Sequence, residues 1–174
     1  FPYTTLFRSD FISGTSTGWS APADSGTTLG ANNFSIRFWY KPVGGGNSTI
    51  AWHGSLPSTL DWLIQMGGAG TNPIFVYATG GSQYGISGAP IPDRWAYYEW
   101  TRSGSNDYLF MDGILVNTQT VYASIQTTAG AYTYFMGASA TYGANGYVDD
   151  FTLTNGAARH TANYTPPTSP FPGA

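Results

Sequence analysis

The stretch Asn33-Phe-Ser-Ile-Arg-Phe-Trp-Tyr-Lys-Pro42 decides the fold. Phe34, Ile36, Phe38 and Tyr40 fall on alternate positions, and Ser35, Arg37, Trp39 and Lys41 take the positions between. A period of two is the pattern of a strand with one face in a core. Pro42 and Gly44–Gly46 end it. Working outward, Thr49–His53, Trp62–Met66 and Ile74–Ala78 read as further short strands, the last two closed by Gly67-Gly68 and Gly80-Gly81. Trp95–Arg102 and Tyr108–Asn117 flank Ser103-Gly-Ser-Asn-Asp107, a hairpin loop, with Asp112-Gly113 as a turn former. Tyr132–Gly137 and Tyr147–Thr154 supply two more strands. No window holds a 3.6-residue period, and the best helical candidate is a single turn near Ala157–Thr161. The expectation is an all-β antiparallel sandwich or barrel.

Composition supports this and excludes several chemistries. The chain has 174 residues, one domain's worth, with 41% hydrophobic and 17% aromatic residues. Charged residues make up 9%, against an ordinary share of about 25%. The surface must therefore be built from Thr, Ser, Asn, Gly and aromatic rings. Six cations and a net charge of −3 cannot neutralise a phosphate backbone, so nucleic acid is a poor partner. Cys is absent, which excludes disulfides, thiolate catalysis and Cys-held metals. No apolar run approaches the roughly 18 residues of a spanning helix, and no basic-then-apolar signal segment opens the sequence, so no membrane insertion is expected.

Three segments in order carry a family resemblance. Residues 33–42 resemble the first long strand of laminin-G-like domains. Arg94-Trp-Ala-Tyr-Tyr-Glu-Trp-Thr-Arg-Ser-Gly104 with Tyr108-Leu-Phe-Met-Asp-Gly-Ile-Leu-Val116 is similar to their central hairpin. Gly146-Tyr-Val-Asp-Asp-Phe-Thr-Leu-Thr-Asn-Gly156 is similar to their closing strand. The ending Ala158-Arg-His-Thr-Ala-Asn-Tyr-Thr-Pro-Pro167 resembles the tail of phage-encoded members. The sequence departs from the pattern at Glu99, where a small residue is usual, at His160, where Tyr is usual, and at Thr152, where a basic residue is usual. The resemblance implies a two-sheet antiparallel jelly-roll sandwich of the concanavalin A-like lectin/glucanase architecture, spanning residues 10–164. Residues 165–174, rich in proline, are expected to form a C-terminal strap or linker. Phe1–Ser9 resembles a translated sequencing adapter and is expected to be non-native, which implies a metagenomic source. Its Tyr-Thr-Thr-Leu-Phe could still be captured by a free sheet edge.

Lectins, adhesion modules and glycosidases share this architecture, so the site must decide. Glycosidases of the fold pair two carboxylates about 5–5.5 Å apart. Glu99 is the one Glu of the chain, and Asp149 and Asp150 are adjacent and so alternate between faces. His53 and His160, the candidate bases, lack a Gly-x-Ser-x-Gly context. The expectation is a non-enzyme. Trp39, Tyr97 and Glu99 share the parity that the resemblance places on the concave face, opposite the buried Tyr98, Trp100 and Phe151. Trp52, His53 and Trp62 are expected near strand ends or loop rims. Together these six are the candidate ligand-binding residues, since aromatic faces stack on sugar C–H patches. The resemblance also implies a structural Ca²⁺ held by Asp149, with carbonyl oxygens from Leu29-Gly-Ala-Asn-Asn33 as further donors. Asp149 capping a turn, or pairing with Arg37 or Arg159, is the alternative. The function expected is a virion-associated structural, decoration or adhesion domain that recognises glycans. The alternative is a carbohydrate-binding module of a secreted bacterial protein, with a glycoside hydrolase as the less favoured third. Partners are then surface glycans and other virion subunits, with homo-oligomerisation, and the location virion or extracellular.

Overall fold

Thirteen strands run through the described part of the computed structural model, which covers residues 3–7, 12–13, 19–44, 48–55, 59–121, 123–136 and 145–168. They are β1 (Tyr3–Phe7), β2 (Ile12–Ser13), β3 (Trp19–Pro22), β4 (Phe34–Pro42), β5 (Ser48–Ser55), β6 (Thr59–Met66), β7 (Ile74–Thr79), β8 (Ser82–Ser87), β9 (Ala96–Ser103), β10 (Asn106–Met111), β11 (Ile114–Thr120), β12 (Tyr132–Phe135) and β13 (Asn145–Asn155). The larger sheet has seven strands in the order β1-β13-β4-β9-β10-β11, with β2 also on β13. The smaller sheet has six, β3-β12-β5-β6-β7-β8. Every pairing is antiparallel, and the two sheets enclose one core, which is the jelly-roll sandwich expected.

The alternation of β4 holds. Phe34, Ile36, Phe38 and Tyr40 are completely buried between the sheets, flanked on the same sheet by Tyr98 and Trp100 of β9 and Phe151 and Leu153 of β13. Phe38 is sandwiched, with Tyr98 at 5.8 Å and Phe151 at 5.7 Å between ring centroids. From the smaller sheet come Trp62, Ile64, Phe75, Tyr77 and Phe135. Each fully buried ring of this size contributes roughly 1.5–3 kcal/mol.

Four details differ from the expectation. The run Tyr108–Asn117 is two strands, β10 and β11, folded at Asp112-Gly113; both residues have positive φ, 51° and 75°. Gly80 and Gly81, with φ of 54° and 83°, make a second tight hairpin whose return strand, β8, was hidden because Ser82-Gln-Tyr-Gly carries little apolar signal. β13 is bulged between Asp149 and Thr152, with Asp150 at φ 54°, so Asp149 and Thr152 both face outward. The stretch Ala157–Thr161 is not helical. It begins a strap that leaves β13 at Gly156 and crosses the outer face of the larger sheet. The strap therefore starts before residue 165; residues 169–174 lie outside the described residues, as do Phe1, Pro2, Arg8 and Ser9. Tyr3–Phe7 pairs along β13 from Asn155 to Phe151.

Candidate functional site

The outward face of the larger sheet is built by the residues that alternate with the core. Three cross-strand rows matter: Tyr147 with Lys41; Asp149 with Trp39 and Tyr97; Thr152 with Arg37, Glu99 and Phe110. The strap crosses this face diagonally, from Gly156 beside Asn33 to Tyr164 beside Gly113. It divides the face into a covered part and an open corner.

In the covered part, Glu99 is 0% exposed. The Arg159 N–H donates to Ser35 Oγ (2.7 Å), and Ser35 Oγ lies 2.8 Å from Thr101 Oγ1. Thr101 Oγ1 donates to Glu99 Oε1 (2.6 Å), and His160 Nδ1 donates to Oε2 (2.7 Å). Such chains of hydrogen bonds polarise one another. His160 stacks on Tyr164 at 3.6 Å, and Tyr164 meets Phe110 edge-on at 5.4 Å. Burial and the neighbouring Glu99 charge raise the Tyr164 phenol far above its ordinary value. The Asn163 side chain accepts from the Leu115 N–H, and the Tyr164 N–H donates to the Gly113 carbonyl. Glu99 is thus the anchor of the strap, and its carboxylate is spent on internal donors.

In the open corner, Trp95 and Tyr147 are both half-buried, with centroids 6.2 Å apart. Lys41, also half-buried, is the cross-strand partner of Tyr147. Trp39 and Tyr97 form the floor beneath, 5.2 Å apart and 7% and 3% exposed. Burial pushes the Tyr97 phenol up to about 12, with Arg37 opposing. Arg94 and Asp112 close the rim with an exposed 2.7 Å ion pair.

The six sequence candidates are therefore not one site. Trp39, Tyr97 and Glu99 share a face, as their parity implied, yet the strap covers Glu99, and Trp39 and Tyr97 are a floor rather than a platform. Trp52 lies on the opposite surface of the molecule, on the outer face of the smaller sheet, packed 5.9 Å from Tyr134. Trp62 and His53 are corrected from rim to interior. Trp62 is completely buried and its indole N–H donates to the Thr27 carbonyl. His53 is 1% exposed, stacked on Trp62, with Nδ1 3.0 Å from Asp61, which also accepts from the Thr128 N–H and hydroxyl. Burial lowers the His53 pKa despite Asp61, which favours the neutral ring. Trp95 and Tyr147 were missed. Their signal was present in the parity of Lys41 and Tyr147, but Trp95 precedes its strand and no alternation reaches it.

The two halves of the calcium expectation do not meet. Asp149 pairs with Trp39 and accepts the Asp150 N–H, while the 29–33 loop lies at the other end of β4, beside Asn155. The neighbouring carbonyls of Ser25 and Thr28 already accept from the Asn155 amide. Among the described residues no three His, Asp or Glu side chains converge as metal ligands. The carbonyls of the 29–33 loop therefore do not lie beside Asp149.

Comparison with known proteins agrees with the fold. Residues 13–162 match the family described as the concanavalin A-like lectin/glucanases superfamily. No curated protein sequence matches the chain significantly. Among solved structures, the carbohydrate-binding module CBM40 of the Ruminococcus gnavus IT-sialidase, bound to α2,3-sialyllactose, is similar over 90% of this chain and 93% of that one, at 13% identity and a TM-score of 0.66. The botulinum neurotoxin serotype G binding domain is similar over 91% of this chain and 44% of its own length, at 13% identity and a TM-score of 0.65. The binding domain of Paraclostridial Mosquitocidal Protein 1 follows at 11% identity and 0.64, over 83% of this chain. The chain spans 38% and 44% of the lengths of these two toxin domains. With the family match covering most of the sequence and the two-sheet topology in place, the chain belongs to the concanavalin A-like lectin/glucanases superfamily.

Proposed function

We propose that this chain is a non-catalytic glycan-binding domain acting outside the cell, and that the open corner of the larger sheet holds the sugar. The observation that carries this is the Trp95–Tyr147 pair, half-exposed beside Lys41 on a rigid floor of Trp39 and Tyr97. Aromatic faces cover the apolar side of a pyranose, and Lys41 offers three donors to its oxygens. The covered part of the same face argues against cleavage: Glu99 is enclosed and its oxygens are occupied, so it cannot serve as acid or nucleophile to a substrate. Similarity to binding domains, one of them a sugar-bound module, supports the same reading.

The setting we favour is a decoration or adhesion role on a virion, where many copies convert weak contacts into avidity. The low charge and the phage-like tail support it. A second reading, an independent module of a secreted bacterial protein, draws on the near-complete overlap with the CBM40 module.

The test is a glycan array probed with a multivalent display of the domain, followed by hydrolysis assays on each hit. Saturable binding is expected, reduced about tenfold by Trp95→Ala or Tyr147→Ala, a loss of about 1.4 kcal/mol. No reducing ends should be released. Absence of binding to any glycan would overturn the proposal, as would hydrolysis abolished by Glu99→Gln.

A further inference from the structure

Four large apolar side chains stand exposed among the described residues, and two of them, Tyr132 at 43% and Ile74 at 38%, lie on the outer face of the smaller sheet. That face points away from the Trp95 corner. The six strands of this sheet hold one residue charged at neutral pH, Asp61, and it is buried against His53. The cations among the described residues all belong to the larger sheet, the approach to it or its strap: Arg37, Lys41, Arg94, Arg102 and Arg159. The outer face of the smaller sheet is therefore uncharged across all six strands. One cross-strand row spans it: Ser20, Tyr134, Trp52, Leu63, Val76 and Gly85. Tyr134 lies 5.9 Å from Trp52 and 6.1 Å from Tyr132, so β12 carries an aromatic ridge, while Ile74 and Val76 give β7 a lower aliphatic track. Depletion of charge with enrichment in Tyr and Trp is the composition of an interface core.

We infer that this face is the interface of a two-fold dimer and that its occupant is a second copy of this chain. Charge and shape choose that partner. In a two-fold contact a patch meets its own copy, so a patch of one sign repels itself. The chain carries a net charge of −3, yet none of it lies on this face, and two copies meet here without repulsion. A partner recognised through ion pairs finds none to make. An axis parallel to the strands, between β5 and β6, exchanges β12 with β7, β5 with β6 and β3 with β8. The row is then complementary to itself. Tyr134 lies over Val76 of the second copy, Trp52 over Leu63 and Ser20 over Gly85, each larger side chain over a smaller one. Stacked sheets of this kind sit about 10 Å apart and cross at about 30°. Six strands about 4.8 Å apart and about six residues long give a footprint of about 600 Å² per copy. That is the lower end of the roughly 600–1,000 Å² per partner of stable interfaces. The larger sheets are then outermost, and the two Trp95 corners face opposite directions. The dimer does not depend on those corners binding sugar.

The experiment is sedimentation velocity of the full chain from about 1 to about 200 µM. A species of twice the 18.6 kDa monomer mass is expected, with a micromolar dissociation constant as suits a small neutral interface. Val76→Glu and Tyr134→Lys each place a charge at an outward, half-buried position. Each alone should weaken association about a hundredfold, while near-ultraviolet circular dichroism shows the fold retained. Mixed one to one, the two variants should associate again, because the new charges of opposite sign then meet across the axis. Ile114→Glu, at an apolar position on the larger sheet that is 54% exposed, should leave the dimer intact. A monomer at about 200 µM would overturn the inference and leave the face to water or to a different partner. So would a dimer that persists in both charged variants, variants that stay apart when mixed, or a dimer lost in Ile114→Glu.

Discussion

Removing the imidazole from His160 tests how the strap is held. In His160→Ala, Glu99 keeps the Thr101 hydroxyl on Oε1 but loses the donor on Oε2, and it remains enclosed. A hydrogen bond to a charged group contributes about 1.5–3 kcal/mol. His160 is 31% exposed, so water will reach part of the vacated space and the lower end of that range applies. The 3.6 Å stack on Tyr164 adds about 0.5 kcal/mol at such an edge. The sum is about 2 kcal/mol, which in a domain of this size lowers the melting temperature by roughly 4–8 °C. The assay is thermal unfolding near neutral pH, in a double-mutant cycle with Glu99→Gln. Coupling of about 1 kcal/mol between the two positions is expected. A loss below about 0.5 kcal/mol for His160→Ala, with no coupling, would refute the assignment of Glu99 as anchor.

Four further outcomes follow from the structure. Gly113 has φ 75°, and an added Cβ would collide with the Tyr164 carbonyl, so Gly113→Ala should strain the turn and lift the strap, read as faster proteolysis after Arg159. The His53 pKa is lowered by burial, so below about pH 6.5 the unfolded chain takes up the proton that the folded chain refuses. Stability should therefore fall as pH drops through that value and level off above it, and His53→Phe should flatten the profile; a melting temperature that rises on acidification would contradict this. Since the expected calcium donors lie apart, a chelator should shift the melting temperature by less than about 1 °C. Deleting residues 1–9 should cost less than about 1 kcal/mol, although β1 pairs along β13, and a larger loss in denaturant titration would make it a genuine strand.

The fold was legible because alternation reports which face of a strand is buried. Phe34, Ile36, Phe38 and Tyr40 announced the core, and parity placed Trp39, Tyr97 and Glu99 together on the opposite surface. Parity does not say whether that surface meets water. The strap, residues distant in sequence from Glu99, decides it, and a stretch such as Ala157–Thr161 has no periodicity to reveal where it runs. His53 and Trp62 were misplaced for a related reason: both alternate inward on β5 and β6, but short strands leave too few positions to tell rim from core. Glu99 and His160 stand 61 residues apart in the sequence. In the structure they are one feature, since the carboxylate and the imidazole bind each other.

The course of the strap has a mechanical consequence. It is attached to the sheet by a few separate hydrogen bonds strung along its length rather than by a strand ladder: Arg159 to Ser35, His160 to Glu99, Asn163 to Leu115 and, between backbones, Tyr164 to Gly113. Tension applied at the C-terminal side would load these one after another, Tyr164 first, in a peel. The ladder between β13 and β4 would bear no load until the last had parted. The eight residues between Gly156 and the outermost contact at Tyr164 have an extended length of about 28 Å, at 3.3–3.6 Å per residue, which is released before the sandwich itself is stressed. A segment that yields in this way takes up a pull while the folded domain, with the Trp95 corner, stays intact.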